Sequence, residues 1–125
     1  MTGNLLAPAG ARGAGEHVDA LLTARGVRLE RIVSHGDVSP TGFWYDQEEA
    51  EWVALLVGGA RLQIEGEASE RALGPGDVVY LPARCRHRVT WTDPAAPTIW
   101  LALFVDPSLA PAVGGPNLSA SRTTP

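Results

Sequence analysis

Lysine is absent from this chain of 125 residues, and all ten of its basic side chains are arginines. The arginines are scattered along the chain, and acidic residues outnumber them to give a formal net charge of −4. Recognition of nucleic acid or of an anionic membrane needs a concentrated basic patch. We therefore expect neither a nucleic acid nor a membrane as a partner.

Cysteine is nearly absent too. Cys85 is the one thiol, so the chain can form no internal disulfide and no cysteine-based zinc site. No apolar run approaches the roughly 20 residues that a membrane-spanning helix needs. The first residues also lack the basic and apolar regions of a secretory signal. These absences predict a soluble cytoplasmic protein.

The length of the chain fits one domain, and glycine and proline are concentrated at its two ends. Residues 1–26 are expected to form an N-terminal arm and a short helix over residues 16–25. An acidic residue at the start of this segment, Gly26 just after it and apolar residues at helical spacing favour the helix. Its apolar stripe consists of Val18, Leu21 and Leu22. Residues 107–125 contain repeated breakers and little to bury, so we expect a disordered tail.

The segment between these ends, residues 27–106, alternates short β-forming stretches with glycine and proline turns. Leu62 and Ile64 alternate with polar residues, which is typical of a half-buried strand. Residues 52–57 are apolar throughout and predict a central strand. Many short strands at close spacing predict an all-β sandwich or barrel. The predicted strands are residues 27–34, 52–57, 61–65, 78–81, 86–92 and 98–105.

Two motifs in this segment have characteristic spacings. In the first, six residues separate Glu51 from Gly58; in the second, five residues separate Gly76 from Pro82, and His87 follows. These motifs resemble the two halves of the cupin signature. The resemblance implies an all-β fold with a single cupin-like jelly-roll β-barrel. In that family, histidines and a glutamate line the interior of the barrel and usually hold a metal.

The chain departs from the cupin pattern before Glu51, where the family has two histidines. The family allows three or four residues between the second histidine and the glutamate. Either Trp44 and Asp46 or Tyr45 and Gln47 therefore occupy the two positions. An extended segment shows alternate side chains to one face, so the two registers exclude each other. We favour Trp44 and Asp46, because a carboxylate is a better metal ligand than an amide.

On this basis the predicted metal ligands are Asp46, Glu51 and His87, and the predicted catalytic residues are Glu51 and His87. Three protein ligands with open positions are typical of a catalytic metal. One imidazole with two carboxylates favours Mn²⁺ or Fe²⁺, and Zn²⁺ stays open. The leading hypothesis is a metal-dependent enzyme that acts on a small oxygenated metabolite, as an isomerase, decarboxylase or oxygenase does.

Two other functions stay open. Without a metal, His87 and one carboxyl can act as a general acid/base pair, as in an epimerase or isomerase. A carboxyl can instead pair with Arg84, Arg86 or Arg88, of which Arg84 stands where the family usually has glycine. Alternatively, the chain is a non-catalytic module that binds a small ligand or serves a partner. The missing histidines of the first motif favour that alternative.

Large aromatic side chains are candidates for the wall of a ligand pocket, although in a small barrel they also simply fill the core. The predicted wall consists of Trp44, Gln47, Trp91, Trp100 and Phe104. Residues 98–105 are apolar on both faces, which indicates that a second surface is covered. Together with the resemblance to cupins, this pattern predicts a homodimer.

Overall fold

The computed structural model describes residues 1–7 and 15–115. Eight β-strands and one short 3-10 helix make up the regular structure of this part of the chain. The fold is therefore all-β, with the jelly-roll-like sheets that the resemblance implied. The strands are β1 (His17–Ala24), β2 (Val27–Ser34), β3 (Ala50–Val57), β4 (Ala60–Ile64), β5 (Arg71–Leu73), β6 (Val78–Leu81), β7 (His87–Thr92) and β8 (Thr98–Val105), and the 3-10 helix is Pro107–Leu109.

The strands form two antiparallel sheets. The larger sheet has five strands in the order β1-β2-β8-β3-β6, and the smaller has three in the order β5-β4-β7. In the described residues these sheets do not join into one closed barrel, so the predicted barrel is corrected to two sheets. Alternate residues of β3, β4, β6 and β8 point toward the other sheet and form the core. The core contains Val53, Leu55, Leu62, Ile64, Val79, Leu81, Trp100 and Phe104.

The predicted helix over residues 16–25 is wrong, because this segment contains the strand β1. β1 pairs antiparallel with β2 through a tight turn, in which Ala24 lies opposite Val27. Gly26 has a φ of 79° and supplies the left-handed residue of this hairpin turn instead of ending a helix. The ladder to β2 satisfies backbone groups of the segment, so pairing between strands outweighs its local helical pattern.

Gly58 shows why the first motif ends in glycine. Its φ is 93°, and a Cβ added there would lie 2.5 Å from Oγ1 of Thr98 and 2.7 Å from the Cα of that residue. The turn between β3 and β4 therefore passes directly against the start of β8, where only glycine fits. The hydroxyl of Thr98 completes the junction by donating to the carbonyl oxygen of Gly59 at 3.1 Å.

Parts of both predicted terminal segments lie outside the described residues, namely 8–14 of the arm and 116–125 of the tail. The disorder of the tail thus stays a prediction. Within the described part, Arg31 of β2 donates to the backbone oxygens of Leu5 and Ala7. None of the helical structure in the described ranges is long and apolar enough to cross a membrane.

Candidate functional site

A pocket between the two sheets contains a cavity of about 280 Å³. The larger sheet contributes Glu51 from β3, and the smaller sheet contributes His87 from β7. Trp100 and Phe104 of β8 form part of the apolar wall. Tyr45 and Gln47 also line the pocket. They belong to the segment 35–49, which joins β2 to β3 and is called the β2–β3 loop below.

The imidazole of His87 is oriented by a backbone carbonyl group. His87 is 5% exposed, and its Nδ1 lies 2.9 Å from the carbonyl oxygen of Cys85. Because a carbonyl oxygen only accepts, Nδ1 carries the proton, which leaves the lone pair of the neutral ring on Nε2. Burial lowers the pKa of His87, and the hydrogen bond to Cys85 partly opposes this shift. Nε2 is therefore an uncharged acceptor at neutral pH.

Glu51 faces His87 across the pocket, with its Oε1 3.7 Å from Nε2 of the histidine. Glu51 is 8% exposed, and burial raises the pKa of its carboxyl from 4.5 to about 7. The amide of Gln47 partly opposes this rise, because it donates to Oε1 of Glu51 at 3.2 Å. At neutral pH the carboxyl of Glu51 is thus partly protonated, beside a neutral imidazole. We call these two residues the Glu51–His87 pair.

Tyr45 attaches the β2–β3 loop to β7. Its backbone exchanges two hydrogen bonds with that of His87, of 2.8 Å and 3.1 Å. The Tyr45 ring also stacks on the imidazole, with ring centroids 5.2 Å apart and an angle of 21° between the planes. Burial raises the pKa of the Tyr45 hydroxyl, so this ring is uncharged at neutral pH. Tyr45 thus covers one face of the imidazole with a neutral ring.

Arg88 of β7 holds the same loop. Its guanidinium donates to the backbone oxygens of Ser39, Pro40 and Phe43 at 3.2 to 3.3 Å. The backbone N–H of Ser39 also donates to a carbonyl oxygen of β7 at 2.9 Å. The β2–β3 loop is therefore tied to the smaller sheet at several points, which fixes the side chains that it directs into the pocket.

Charged residues of the N-terminal hairpin also line the pocket: Arg28 and Glu30 of β2, and the exposed Glu16 just before β1. Arg28 donates from Nε to Glu30 at 2.8 Å and from Nη1 to Glu49 at 2.8 Å. Its guanidinium carbon lies 4.2 Å from the centre of the Phe104 ring. Arg28 is therefore engaged with two carboxylates and one aromatic face.

The register that the sequence favoured differs from the one in the structure. Tyr45 and Gln47 line the pocket, and Trp44 and Asp46 do not. Asp46 pairs instead with Arg84, with 3.1 Å between Oδ1 and Nε. The backbone sets this orientation, because the N–H of Arg84 donates to the carbonyl oxygen of Gln47 at 2.7 Å while Tyr45 is bridged to β7. Tyr45 and Gln47 thus face the pocket, as in the second of the two registers that the sequence left open.

The residues of the predicted pocket wall lie in different places. Gln47, Trp100 and Phe104 line the pocket, whereas Trp44 and Trp91 are absent from its lining. Trp44 lies beside Arg86, the residue just before β7. The guanidinium carbon of Arg86 is 5.3 Å from the centre of the Trp44 ring. Trp91 is 41% exposed, because a register shift in the β4–β7 ladder reverses the alternation of β7 just before it.

Three charged lining residues, Glu16, Arg28 and Glu30, were not predicted as part of the site. The sequence did contain a pattern for two of them. Arg28 and Glu30 are two residues apart on a predicted strand, so their side chains lie on the same face. Arg31 on the other face of β2 is also charged, and it is buried against Asp19. The pattern of β2 therefore did not show which of its faces meets the pocket.

The donor set of the pocket does not fit a catalytic metal ion. In residues 1–7 and 15–115, no three His, Cys, Asp or Glu side chains form a group that could hold one. Glu51 and His87 are good donors, but the nearby amide of Gln47 directs its N–H toward Glu51. Catalytic metals commonly use three protein ligands. The predicted site for Mn²⁺, Fe²⁺ or Zn²⁺ at Asp46, Glu51 and His87 therefore has no support in this geometry.

The two sheets and the pocket between them define a small all-β domain of the jelly-roll class with room for a small molecule. The family model described as "Cupin domain" matches residues 31–104. The chain belongs to the cupin family. Among curated proteins, no sequence matches this chain.

Solved structures resemble the chain closely. A "putative mannose-6-phosphate isomerase" from Ralstonia eutropha JMP134 is 46% identical, with a TM-score of 0.79 over 85% of this chain and 98% of that one. A cupin superfamily protein from Desulfitobacterium hafniense DCB-2 is 17% identical, with a TM-score of 0.63 over 78% and 83% of the two chains. KdgF from a Halomonas species is 20% identical, with a TM-score of 0.62 over 75% and 82%. The latter two resemble this chain in fold alone.

Proposed function

We propose that this cupin is an acid/base enzyme of the isomerase or epimerase type, which moves a proton on a small carbonyl compound without a metal. The observation that carries the proposal is the Glu51–His87 pair. A carboxyl with a pKa of about 7 lies 3.7 Å from the lone pair of a neutral imidazole, inside a largely apolar pocket. Opposed pKa shifts of this kind provide an acid and a base at neutral pH.

In the proposed reaction, Nε2 of His87 takes the proton from the carbon next to the carbonyl group, and the protonated carboxyl of Glu51 donates to the carbonyl oxygen. The C–H bond breaks, an N–H bond forms, and the electron pair enters a carbon–carbon double bond. A hydroxycarbonyl substrate thereby becomes a neutral enediol. The imidazolium then returns its proton to the neighbouring carbon, while the Glu51 carboxylate removes the proton of the other hydroxyl. Atoms and electrons balance without another reactant.

The similar Ralstonia protein is named for an isomerase, which supports this reaction class. A ligand-binding protein without catalysis is the second candidate. Tyr45 and Gln47 favour it, because they stand where the family has histidines and neither is a strong base.

Solvent isotope exchange tests the proposal. The protein is incubated in deuterium oxide with a panel of aldoses and ketoses, and NMR follows the loss of the proton next to the carbonyl group. We expect exchange with at least one member of the panel, and a fall of about 100-fold or more in Glu51→Gln and in His87→Gln. Glu48→Gln, on the exposed part of the β2–β3 loop, is the matched control and should retain the full rate.

Two results would contradict the proposed chemistry. One is exchange that survives in both variants, and the other is exchange that stops with a chelator and returns with a divalent ion. A wild-type protein that binds a member of the panel and exchanges no carbon-bound proton would indicate the second candidate.

A further inference from the structure

Acidic side chains outnumber basic ones around the pocket. Its described lining includes the carboxyls of Glu16, Glu30 and Glu51, and one guanidinium, that of Arg28. Even when Glu51 is protonated, these groups carry a net negative charge at neutral pH. A ligand with a phosphate or carboxylate group would therefore be repelled, and the repulsion is strong where little water is present.

The guanidinium groups near the pocket are already engaged and cannot readily receive an anion. Arg28 donates to Glu30 and Glu49, and both carboxylates would lose a partner if it turned to a ligand. Arg84 and Arg86 pair with carboxylates as well. Breaking the pair of Arg28 with the largely buried Glu30 would leave an uncompensated charge, which is costly in partly buried surroundings.

Among the described residues, Nε2 of His87 is a hydrogen-bond acceptor that faces the cavity without a partner. Nε2 of His87 belongs to a side chain that is 5% exposed, and Oε1 of Glu51, at 3.7 Å, is beyond hydrogen-bonding distance from it. Within the described ranges, no hydrogen bond to this atom exists, because the one bond of the ring is made by Nδ1. An acceptor that opens onto the cavity without a partner favours a ligand that donates. Glu16 adds further acceptor capacity at the edge of the pocket.

We infer that the pocket takes a small ligand with hydrogen-bond donors and no anionic group, an amine or a neutral polyhydroxylated compound, and that it rejects phosphorylated and carboxylated compounds. This inference specifies the class of substrate for the proposed function. It rests on that proposal in one respect only, namely that a small molecule binds in this pocket. For the proposed isomerase, the substrate is then an unphosphorylated sugar or amino sugar, in contrast to the phosphate ester in the name of the Ralstonia protein.

Three probes that share one ring and differ in charge test this inference: cyclohexylamine, cyclohexanol and cyclohexanecarboxylate, at neutral pH and low salt. Binding is followed by heteronuclear NMR of the indole N–H of Trp100, which lines the pocket and donates to Ser34 at 3.2 Å. We expect the amine to bind at least about tenfold more tightly than the carboxylate, with the alcohol between them.

A charge variant identifies the source of this order. Glu16→Gln should weaken the binding of the amine by about threefold or more and leave the affinity for the alcohol unchanged. The substitution removes one negative charge and keeps the shape of the side chain. Glu48→Gln, exposed and outside the pocket lining, should change neither probe. Carboxylate binding equal to or tighter than amine binding would overturn the inference, as would the absence of any shift of the Trp100 signal. Isotope exchange tests the proposed function separately, since a pocket with this preference can exist without catalysis.

Discussion

Burial shifts the pKa values of Glu51 and His87 in opposite directions, and this reverses the order in which the two residues bind protons. A glutamate ordinarily has a pKa about two units below that of histidine. Here the pKa of the carboxyl rises to about 7 and that of the imidazole falls below 6.5. The main cause is the same for both, because each charged form loses hydration inside the protein. The proton therefore resides on the carboxyl in preference to the imidazole.

Asp46→Asn tests whether Asp46 belongs to the pocket. Asp46 is 38% exposed and its partner Arg84 is 61% exposed. Because exposed ion pairs add little, we expect the free energy of unfolding in urea to change by less than about 1 kcal/mol. The rate of isotope exchange and the metal content of the purified protein should also stay the same. A loss of more than about 2 kcal/mol would show that Asp46 is a structural hydrogen-bond acceptor. A fall in bound metal would show that Asp46 is a metal ligand, as the sequence predicted.

The resemblance to the cupin motifs predicted Glu51 and His87, and both line the pocket. It did not predict which side chains of the β2–β3 loop point inward. That orientation depends on contacts with distant parts of the chain, namely the bridge from Tyr45 to His87 and the bond from Arg84 to Gln47. Neither contact leaves a periodic pattern in the loop itself.

Among the strands, β1 was mistaken for a helix because its alternation is interrupted. The ladder between β1 and β2 shifts register between Ala20 and Leu22. Such an irregularity breaks the period of two, and the apolar residues on either side of it then match helical spacing. In contrast, β2, β6 and β8 have the bounds predicted for residues 27–34, 78–81 and 98–105. β5 has only three residues and was not predicted, because so short a strand has no measurable period.

Arg84→Gly should stabilise the turn that follows β6. Arg84 has a φ of 63° in a turn that Cys85 closes by donating to Pro82 at 3.0 Å. The left-handed conformation costs a residue other than glycine about 1 kcal/mol. Loss of the exposed pair with Asp46 costs less, so we expect the free energy of unfolding to rise by about 0.5 to 1 kcal/mol. Urea unfolding measures the change.

Arg84→Ala is the control for this substitution. It removes the pair with Asp46 and keeps the unfavourable backbone conformation, so it should give no gain in stability. A glycine variant less stable than the alanine variant would show that strain at this position is not the dominant effect.

At the scale of the whole molecule, Glu51 makes stability depend on pH. The folded protein binds the proton of this carboxyl more tightly than the unfolded chain, since the pKa is about 7 in the folded state against 4.5 for the free group. The resulting stabilisation is fully present below about pH 4.5 and is lost as the pH rises through about 7. Its upper limit is about 3 kcal/mol, from about 1.4 kcal/mol per pKa unit.

Glu51→Gln should remove this dependence. We expect the variant to exceed the wild type in free energy of unfolding by about 1 to 3 kcal/mol above pH 8, since it has no buried charge there. The lowered pKa of His87 has the opposite effect on stability. It makes the folded protein more stable as the pH rises toward 6.5, and it adds no further slope above that value. Denaturant titrations are therefore compared above that value, with Glu48→Gln as the control that keeps the wild-type slope. A wild-type protein with no slope in this range would contradict the raised pKa of Glu51.

The all-β class could be predicted from residues 27–106, because turn residues and strand patterns are local, and the resemblance of two motifs indicated the cupin family. The separation into two sheets could not, because it depends on which distant strands meet. The apolar outer face of β8 is partly explained by the chain itself. Residues 111–114 border a groove there, together with Trp52, Tyr80 and Leu103. The homodimer stays a prediction.

Glu51 and His87 belong to different sheets, so the thickness of the layer between those sheets sets the distance between their reacting atoms. Leu55 and Val79 are each 1% exposed within that layer and outside the pocket lining, and they help to hold the sheets apart. The rate of a proton transfer falls steeply as its path lengthens. In the proposed enzyme, conservative exchanges among such core residues would therefore change the catalytic rate while every residue that lines the pocket stays the same.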